Sequence, residues 1–512
     1  MTSLYDQVPY RGQAIAQTHP DRLATLAALF GMKPAAADRC RVLEIGCGNG
    51  RNLVPMAYAL PESRFVGIDL AAQPIAVGRS MIEALGLRNI ALRQLDILEA
   101  GQDFGEFDYI ISHGVYSWVP AAVQDRLLSL CREHLAPNGV AYVSYDAYPG
   151  AHLGRVTREM MLYSVRGLED PAQKIQHARA LVKFLSEVRS EQDFYSALLK
   201  EEAARVEEWS DWSIFHDNLS PNYCAVYFHQ FVEHAARHGL AFLAEADYFQ
   251  MHPQTSNARA LEWLQQLEGD EIARQQYLDF LSGRRFRRTL LCHSAVRLER
   301  KLKPEQVAGF FVASSTRPVR SEPDIRTNAV EEFRGSKGAS ISIGHPLAKA
   351  ALTLLSRSWP RALAFDELTD RARELAAGDA ASGETLREPA ARAQDAREMG
   401  ELILRIYAAN LIELHVSAPQ LVVDPGERPI ASAVARLEIE RGNTVTNLLH
   451  RTIEVSDKLC AEMLRLLDGT RDRRALREEL QSRASSANER DAVEKGLEEN
   501  LKMIGRLALL KG

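Results

Sequence analysis

The sequence predicts an α/β fold with a mostly parallel sheet, followed by a mainly helical middle region and a C-terminal region of mixed helices and strands. Between residues 40 and 148, short apolar runs alternate with amphipathic stretches, which is typical of strands joined by crossover helices. From about residue 151 to 300 the hydrophobic period becomes helical. Because 512 residues are too many for one hydrophobic core, several domains are expected.

Shifts in composition divide the chain into five predicted segments. Residues 1–38 form a cap segment before the first strand, and residues 39–150 form a nucleotide-binding domain with a parallel sheet. Residues 151–313 form a mainly helical domain. Residues 314–339 contain several prolines and glycines and predict a linker. In residues 340–512, short helices followed by strands predict a winged-helix-like α+β domain.

The first two segments show clear element boundaries. A helix is predicted from Leu23 to Phe30, because Thr18 suits its N-cap and Pro20 its first turn. A turn at residues 137–139 is expected to precede the last strand of the sheet. The predicted strands are 42–45, 64–69, 90–97, 107–112 and 139–145, and the predicted helices are 53–59, 74–85 and 121–135.

The later segments are mainly helical in pattern. Helices are predicted at 174–189 and 227–238, and the many aromatic residues around Tyr223 are expected in the core. The polar, alanine-rich residues 376–393 predict a mobile loop. The C-terminal arginines lie among acidic residues, so we expect a solvated or protein-facing surface there. These arginines are Arg471, Arg473, Arg474 and Arg477; helices are predicted at 346–357, from 365, at 455–467 and at 473–480, and a strand at 411–416.

The segment 42–50 predicts a buried strand that runs into a turn built on Gly46, Gly48 and Gly50. Without Cβ atoms, this backbone can bend sharply and approach a ligand at contact distance. The spacing G-x-G-x-G differs from the G-x-G-x-x-G of dinucleotide-binding folds, and Glu44 stands two positions before the first glycine. A carboxylate there would repel a pyrophosphate but attract the cationic amino-acid end of S-adenosylmethionine.

Two further carboxylates follow at the ends of the next apolar runs. Asp69 lies about 20 residues beyond the glycines, as a ribose-binding acid should. Asp96 is expected to accept from the adenine amino group while Ile97 packs on the ring. A glycine triplet alone is equally typical of an ordinary turn, but a strand, a turn and two acids in this order favour S-adenosylmethionine. These residues resemble the class I S-adenosylmethionine-dependent methyltransferases, which implies a Rossmann-like sheet.

The predicted cofactor site takes in both the strand ends and the cap segment. Tyr10 is expected either in a flap over the cofactor or in a purely structural N-terminal segment. His19 suits a hydrogen bond at the helix entry as well as it suits a cofactor contact. The complete predicted set is Tyr10, His19, Glu44, Gly46, Cys47, Gly48, Gly50, Asn52, Asp69, Leu70, Asp96, Ile97, Ser112 and His113.

Composition excludes several classes of function. The 62 basic and 68 acidic residues nearly balance, with no long basic tract, so a nucleic-acid partner is not expected. The six cysteines lie far apart and form no C-x-x-C pair, so neither a metal site nor a disulfide framework is predicted. No signal peptide is recognisable, and no uncharged apolar stretch reaches about 18 residues. We therefore expect a cytoplasmic protein that is not inserted into a membrane.

Motifs along nearly the whole chain are similar to those of a bacterial methyltransferase family with a "methyltransferase regulatory" middle domain. The best-studied members methylate lysines of outer-membrane proteins. The resemblance therefore implies a protein substrate, a regulatory or dimerisation role for residues 151–313, and a homodimer. Asp146 and Ala151 stand where the family leads us to expect an amide and a tryptophan. The matching motifs are Tyr5-Asp6, Pro9-Tyr10, Thr18-His19-Pro20, residues 29–32, 113–120, 144–145, 148–150, 228–229, 239–240, 286–291 and 467–470.

Methyl transfer is an in-line displacement, so catalysis consists largely of placing the nucleophile. A lysine ammonium, with a reference pKa of about 10.4, must first lose a proton, which a dry aromatic pocket favours. Tyr116 and Trp118 are predicted as pocket walls, and Tyr145 is expected to approach from the fifth strand. His113 and Asp146 are candidate proton acceptors. A cofactor-lining role for His113 and a loop-capping role for Asp146 remain open.

Two other functions remain open at this point. In a small-molecule methyltransferase, the added domains would cap the pocket or form a dimer. In a non-catalytic regulator, the protein would bind S-adenosylmethionine and contact a partner through its C-terminal module. The long helical middle region favours a macromolecular substrate.

Overall fold

The computed structural model describes residues 8, 12–101, 104–189, 191–335, 338–377 and 389–511. The chain forms two compact units. The first unit comprises the chain up to Gly12, Cys40–Val54 and Ser63–Val296, and the second comprises Gln13–Arg39, Pro55–Glu62 and the chain from Arg297 onward. The first helix, α1 (Pro20–Leu29), therefore belongs to the second unit together with the C-terminal region.

The first unit is built on a seven-stranded sheet of order β3-β2-β1-β4-β5-β7-β6. Strands β1 to β5 are parallel, whereas β7 runs antiparallel to both β5 and β6. The α/β class and the Rossmann-like arrangement predicted for this region are confirmed. The strands are β1 (Arg41–Ile45), β2 (Arg64–Asp69), β3 (Ile90–Gln94), β4 (Phe107–Ser112), β5 (Leu135–Asp146), β6 (Leu240–Glu245) and β7 (Phe286–His293).

The central strands are almost completely buried, as is typical of parallel strands covered on both faces. Val42 of β1 and Tyr109 and Ile110 of β4 are fully enclosed. The crossover helices start and end within a few residues of the predicted bounds. They are α2 (Leu53–Ala59), α3 (Ala72–Ala84) and α4 (Ala121–His134).

Strand β5 begins earlier than predicted. The pairing with β4 advances from Phe107↔Leu135 to Tyr109↔Val140, so residues 136–139 form a bulge within the strand, and residues 137–139 are not a turn before it. A Cβ atom on Gly139 would lie 2.9 Å from the carbonyl oxygen of Asp108, so glycine allows the two strands to stay close at the bulge.

The middle region contributes strands β6 and β7 to the sheet, which the helical pattern does not predict. In β7, the adjacent charged residues Arg287 and Arg288 interrupt the apolar run by which a buried strand is recognised. Arg287 is nevertheless fully buried, since Glu245 of β6 and Asp279 provide charge partners. The sheet thus extends across the predicted boundary at residue 150.

Apart from β6, residues 151–282 of the middle region are mainly helical, as predicted. Several of its helices pack around an apolar core that includes Met161, Val182 and Phe215. Val8 of the N-terminal segment packs on the same core, and its carbonyl oxygen lies 2.7 Å from Nε2 of His216. The helices are α5 (Ala151–Ser164), α6 (Pro171–Val188), α7 (Phe194–Glu208), α8 (Phe228–Arg237), α9 (Ala258–Gln265) and α10 (Glu271–Ser282), with a π-helical turn at Ile214–Asn218.

Two small three-stranded sheets of the second unit follow β7 along the chain. The strands β9 and β10 fall inside the segment predicted as a linker, so that segment carries regular hydrogen-bonded structure. One sheet has the order β11-β10-β9 and the other β12-β8-β13. The strands are β8 (Phe311–Ala313), β9 (Arg317–Pro318), β10 (Glu331–Arg334), β11 (Ser340–Ile343), β12 (Leu363–Ala364) and β13 (Glu413–His415).

Three helices accompany these sheets: α11 (Pro346–Ser358), α12 (Phe365–Ala377) and α13 (Pro389–Ala408). Most of the loop predicted at 376–393 lies outside the described residues. Its last part belongs to α13, so there the prediction of a loop is wrong.

The C-terminal region of the second unit has the predicted winged-helix character. Its helices enclose an apolar core that includes Val445, Leu464 and Leu501. The predicted arginines are paired with acids, for example Arg477 with Glu494 at 2.8 Å. Its elements are β14 (Ile430–Ala431), α14 (Ala433–Ile439), β15 (Thr444–Thr446), β16 (Thr452–Glu454), α15 (Lys458–Leu466), α16 (Arg473–Arg483), α17 (Ala487–Arg506) and β17 (Leu510–Lys511). Among the described residues, no helix is long and apolar enough to cross a bilayer.

Candidate functional site

The glycine turn follows β1 and lies against the end of β2. Gly46, Gly48 and Gly50 all have positive φ angles, between 52° and 75°. The amide of Gly46 donates to the carbonyl of Ile68 at 2.8 Å. A Cβ atom on Gly46 would come within 2.4 Å of Cγ2 of Val115, so the loop after β4 leaves no room for a side chain there. The turn therefore presents bare backbone at the carboxyl edge of the sheet, where open α/β sheets bind ligands.

Glu44 places a buried carboxyl group just before this turn. It is 4% exposed, and its Oε1 accepts a hydrogen bond of 2.7 Å from Nδ2 of Asn52. Its Oε2 is buried without a hydrogen-bond partner among the residues that the structure describes. Burial raises the pKa of Glu44 to about 8, against the effect of the Asn52 hydrogen bond. A free buried oxygen in this position fits the ammonium group of S-adenosylmethionine.

The two acids at the following strand ends are held by backbone amides. Asp69 accepts from the amide of Gly48 at 2.8 Å and from that of Ala71 at 2.9 Å. Asp96 accepts from the amide of Leu98 at 2.9 Å. Because each carboxylate oxygen has two acceptor sites, these bonds orient the groups and leave capacity for ribose hydroxyls or an adenine amino group.

The remaining predicted cofactor residues differ in their exposure. Cys47 and Ser112 are buried near the turn and at the end of β4, and Oγ of Ser112 has no hydrogen-bond partner within the described part of the chain. Leu70 is 58% exposed after β2, and Ile97 is half-buried after Asp96. Tyr10 lies outside the described residues.

His19 belongs to the second unit. Its Nδ1 accepts from the amide of Asp21 at 3.3 Å and caps helix α1, which is the structural alternative considered for this residue. A cofactor contact for His19 stays a prediction.

His113 stands at the end of β4 with its Nδ1 2.9 Å from the hydroxyl of Tyr142. Burial, helped by the charge of Arg288, lowers the pKa of His113 to about 4. The imidazole is therefore neutral near pH 7 and a weak proton acceptor. This geometry favours a lining role at the strand end over general base catalysis.

Tyr116 and Tyr145 are buried in the core instead of lining an open pocket. Each is at most 2% exposed, and both pack on the ring of Phe231. The hydroxyl of Tyr116 lies 2.8 Å from Nδ1 of His234, and that of Tyr145 lies 3.0 Å from Oγ1 of Thr289. The sequence predicts Tyr116 as a pocket wall, but its packing against α8 encloses it, and the same packing encloses Tyr145.

A different group of side chains forms a cluster at the end of β5. The ring of Trp118 lies 5.2 Å from the ring of Tyr223, and the side chain of Tyr223 hydrogen-bonds that of Asp146. The backbone of Asp146 is held because its amide donates to Oγ of Ser117 at 2.8 Å. Burial raises the pKa of Asp146 to about 6. The structure thus brings together two predicted residues, Trp118 and Asp146, with one that the sequence assigns to the core.

Asp217 completes this cluster from the π-helical turn. Burial and, to a smaller extent, the nearby charge of Asp146 raise the pKa of Asp217 to about 7. No sequence motif marks Asp217, because only the fold brings it close to β5. We call Trp118, Asp146, Asp217 and Tyr223 the acceptor cluster.

Comparisons with known proteins agree with this architecture. A methyltransferase domain model matches residues 43–141, a predicted methyltransferase regulatory domain matches 210–293, and the C-terminal winged helix domain of PKMT matches 427–496. An uncharacterised protein of Rickettsia prowazekii, RP789, is 31% identical over 482 residues, which cover 92% of this chain and 84% of the relative. The chain belongs to this methyltransferase family. A second Rickettsia prowazekii protein, RP028, is 36% identical over 46% of this chain and 94% of its own length.

Among solved structures, PKMT2 of Rickettsia typhi is similar over 98% of this chain and 100% of its own, with a TM-score of 0.86 and 26% identity. A second structure of PKMT2 is a complex with AdoHcy. The family member described here is a class I S-adenosylmethionine-dependent methyltransferase with a seven-stranded core, a helical middle region and a C-terminal winged helix. The carboxyl oxygens of Glu44, Asp69 and Asp96 near the glycine turn can accept hydrogen bonds, so these residues stay the predicted partners of the ammonium, ribose and adenine groups of this cofactor.

Proposed function

We propose that this methyltransferase modifies lysine side chains of a protein substrate and that the acceptor cluster receives the lysine. The observation that carries the proposal is the half-buried carboxyl group of Asp146, which hydrogen-bonds Tyr223 beside the ring of Trp118, together with the half-buried carboxyl group of Asp217 near it. The similarity to PKMT2, a protein-lysine methyltransferase by name, supports the same acceptor.

The acceptor cluster suits an ammonium group for electrostatic reasons. Carboxylates attract a cation more strongly at a partly desolvated site, and the faces of tryptophan and tyrosine rings add a favourable cation–π interaction. Arg158 lies over Tyr223 at 4.8 Å and donates to the carbonyl of Ser220. The charge of Arg158 also favours the ionised form of Asp146, against the effect of burial.

The same carboxyl groups provide a proton acceptor. S-adenosylmethionine supplies an electrophilic methyl group on a sulfonium sulfur. A lysine ammonium has no free electron pair, so one N–H proton must move to a carboxylate oxygen before the nitrogen attacks. With pKa values of about 6 and about 7, Asp146 and Asp217 are matched to this transfer near neutral pH.

We extend the proposal to three finer properties that rest on the family resemblance. The substrate is an outer-membrane protein, the reaction takes place in the cytoplasm before that protein is exported, and the enzyme acts as a homodimer. Sedimentation of the purified protein tests the dimer, and fractionation of cells tests the location.

The acceptor is tested directly with methyl-labelled cofactor. Purified enzyme is incubated with an outer-membrane protein fraction, with a lysate freed of small molecules, and with the small-molecule fraction alone. We expect label in polypeptides and recovery of methyl-lysine after acid hydrolysis. Label confined to small molecules would assign a different substrate class, and cofactor binding without any transfer would identify a regulator.

The role of the carboxyl pair is tested with Asp217→Asn and Asp146→Asn. In the wild type, kcat/KM should rise with pH through about 6 to 7 as the pair loses its protons. We expect each variant to lose about 10²- to 10⁴-fold in kcat/KM while cofactor affinity stays unchanged. Asp211→Asn is the matched control, since Asp211 precedes the same turn, is 73% exposed and pairs with Arg179. An unaltered pH profile in both variants would contradict the role.

A further inference from the structure

Two histidines and an aspartate converge on the surface of the first unit. His234 of α8 and His238, which caps the end of that helix, are four residues apart and share a helix face. Asp125 of α4 lies opposite them. Its Oδ1 is 2.9 Å from Nε2 of His238 and 3.4 Å from Nε2 of His234. One ligand atom from each of the three residues lies within 4.8 Å of the others.

We propose that Asp125, His234 and His238 bind a divalent transition-metal ion of the Zn²⁺ type. Two imidazole nitrogens and one carboxylate oxygen are ligands that zinc, cobalt and nickel accept readily. The present spacing of the ligand atoms requires only side-chain rotation to converge on one ion. The carboxylate is 63% exposed, so it is free to turn, and the open side leaves coordination positions for water.

A hydrogen bond to Tyr116 orients His234 for metal binding. Nδ1 of His234 lies 2.8 Å from the hydroxyl of Tyr116, so the ring is oriented with Nε2 toward Asp125. Metal-binding histidines characteristically have their second nitrogen engaged in this way.

Cysteine spacing does not reveal this site, since it uses none of the six cysteines. A short-range signal exists in the four-residue spacing of His234 and His238, but the third ligand comes from a helix more than a hundred residues earlier. The structure alone joins the two histidines to Asp125. It also connects the site to Tyr116, which begins the 3₁₀ turn Tyr116–Trp118.

The test uses full-length protein without a histidine tag, titrated with Co²⁺ and followed by visible absorption, with Zn²⁺ then added as competitor. We expect one saturable site per chain, displaced by Zn²⁺. His238→Ala and Asp125→Asn should each weaken Co²⁺ binding by at least about 10-fold. His177→Ala, which removes an exposed histidine from α6, should leave it unchanged.

His234→Ala also removes the hydrogen bond to Tyr116, so its circular dichroism spectrum and cofactor affinity are compared with those of the wild type. His238→Ala leaves that hydrogen bond in place, so its Co²⁺ binding tests the proposal if His234→Ala is misfolded. Absence of saturable Co²⁺ binding to the wild type would overturn the proposal. Equal binding by His238→Ala, Asp125→Asn and the wild type would do the same.

Discussion

At the scale of single residues, Glu44 shows that a binding group can be unfavourable for the folded protein without its ligand. Its carboxyl group is buried with one oxygen unpaired, and its pKa is raised from 4.5 to about 8. The folded state therefore holds this proton more tightly than the unfolded state does. The resulting stability is present below about pH 4.5 and is lost as the pH rises through about 8. The ammonium group of the ligand would offset this loss of stability by pairing with the ionised carboxylate of Glu44.

We expect Glu44→Gln to weaken cofactor binding and to reduce the loss of stability that ionisation of Glu44 causes. The variant should bind S-adenosylmethionine at least about 10-fold more weakly, a loss of about 1.4 kcal/mol or more. It should also lose less stability than the wild type between pH 4.5 and 8. Calorimetric titration at pH 7 in two buffers of different ionisation enthalpy should show proton release on binding by the wild type and less by the variant. Glu99→Gln, at an exposed position, is the control, and equal proton release by all three proteins would refute the role of Glu44.

At the scale of elements, β7 joins the middle region to the sheet through one buried cation. Arg287 lies 2.6 Å from Glu245 of β6 and 2.8 Å from Asp279 of α10, and all three side chains are fully buried. Its guanidinium also lies 3.8 Å from the ring centre of Phe228 of α8. Burial alone would lower the pKa of Arg287, but the two carboxylates raise it above its usual range. Arg287 thus lies on β7 and contacts side chains of β6, α8 and α10, so it fixes the positions of two strands and two helices.

Replacing this cation should destabilise the first unit strongly. Arg287→Met leaves the buried carboxyl group of Glu245 without its cation and Asp279 with Arg284 alone, so we expect the free energy of unfolding to fall by about 3–5 kcal/mol. Urea unfolding followed by circular dichroism measures the change. Arg166→Met, at an exposed position, should change the free energy of unfolding by less than about 0.5 kcal/mol. A similar small change in both variants would show that the buried pairs contribute little.

At the scale of the whole molecule, the second unit is assembled from distant parts of the chain. Asp21 of α1 and His415 of β13 are 394 positions apart, yet Oδ2 of Asp21 lies 2.6 Å from Nδ1 of His415. Oδ1 of Asp21 also accepts from the amide of Ser417. Burial would raise the pKa of Asp21, but His415 holds it below its usual value. Burial would likewise lower the pKa of His415, but Asp21 raises it.

The Asp21–His415 pair should make the second unit sensitive to pH. The histidine contributes stability below its ordinary pKa of 6.5 and loses it as the pH rises through its raised value, whereas the aspartate loses its contribution as the pH falls through its lowered value. The contribution is therefore largest between about pH 3.8 and 6.5. Asp21→Asn should lower stability there by about 1–3 kcal/mol and flatten the decline above pH 6.5.

Hydrogen exchange of peptides from α1 and β13, followed by mass spectrometry across this pH range, measures the effect. Asp38→Asn, an exposed substitution in the same part of the chain, should behave like the wild type. Identical pH dependence in Asp21→Asn and the wild type would mean that the pair does not stabilise the unit.

The sequence by itself determined the order of strand, glycine turn and acids, and with it the cofactor chemistry, because strand period, positive φ and the spacing of Glu44, Asp69 and Asp96 are properties of short segments. The tertiary structure alone decided that β6 and β7 complete the sheet, that Tyr116 and Tyr145 are buried, and that Asp217 lies near Asp146. Burial and the pairing of charges depend on contacts between distant segments. The hydrophobic periodicity of a short segment does not reveal those contacts.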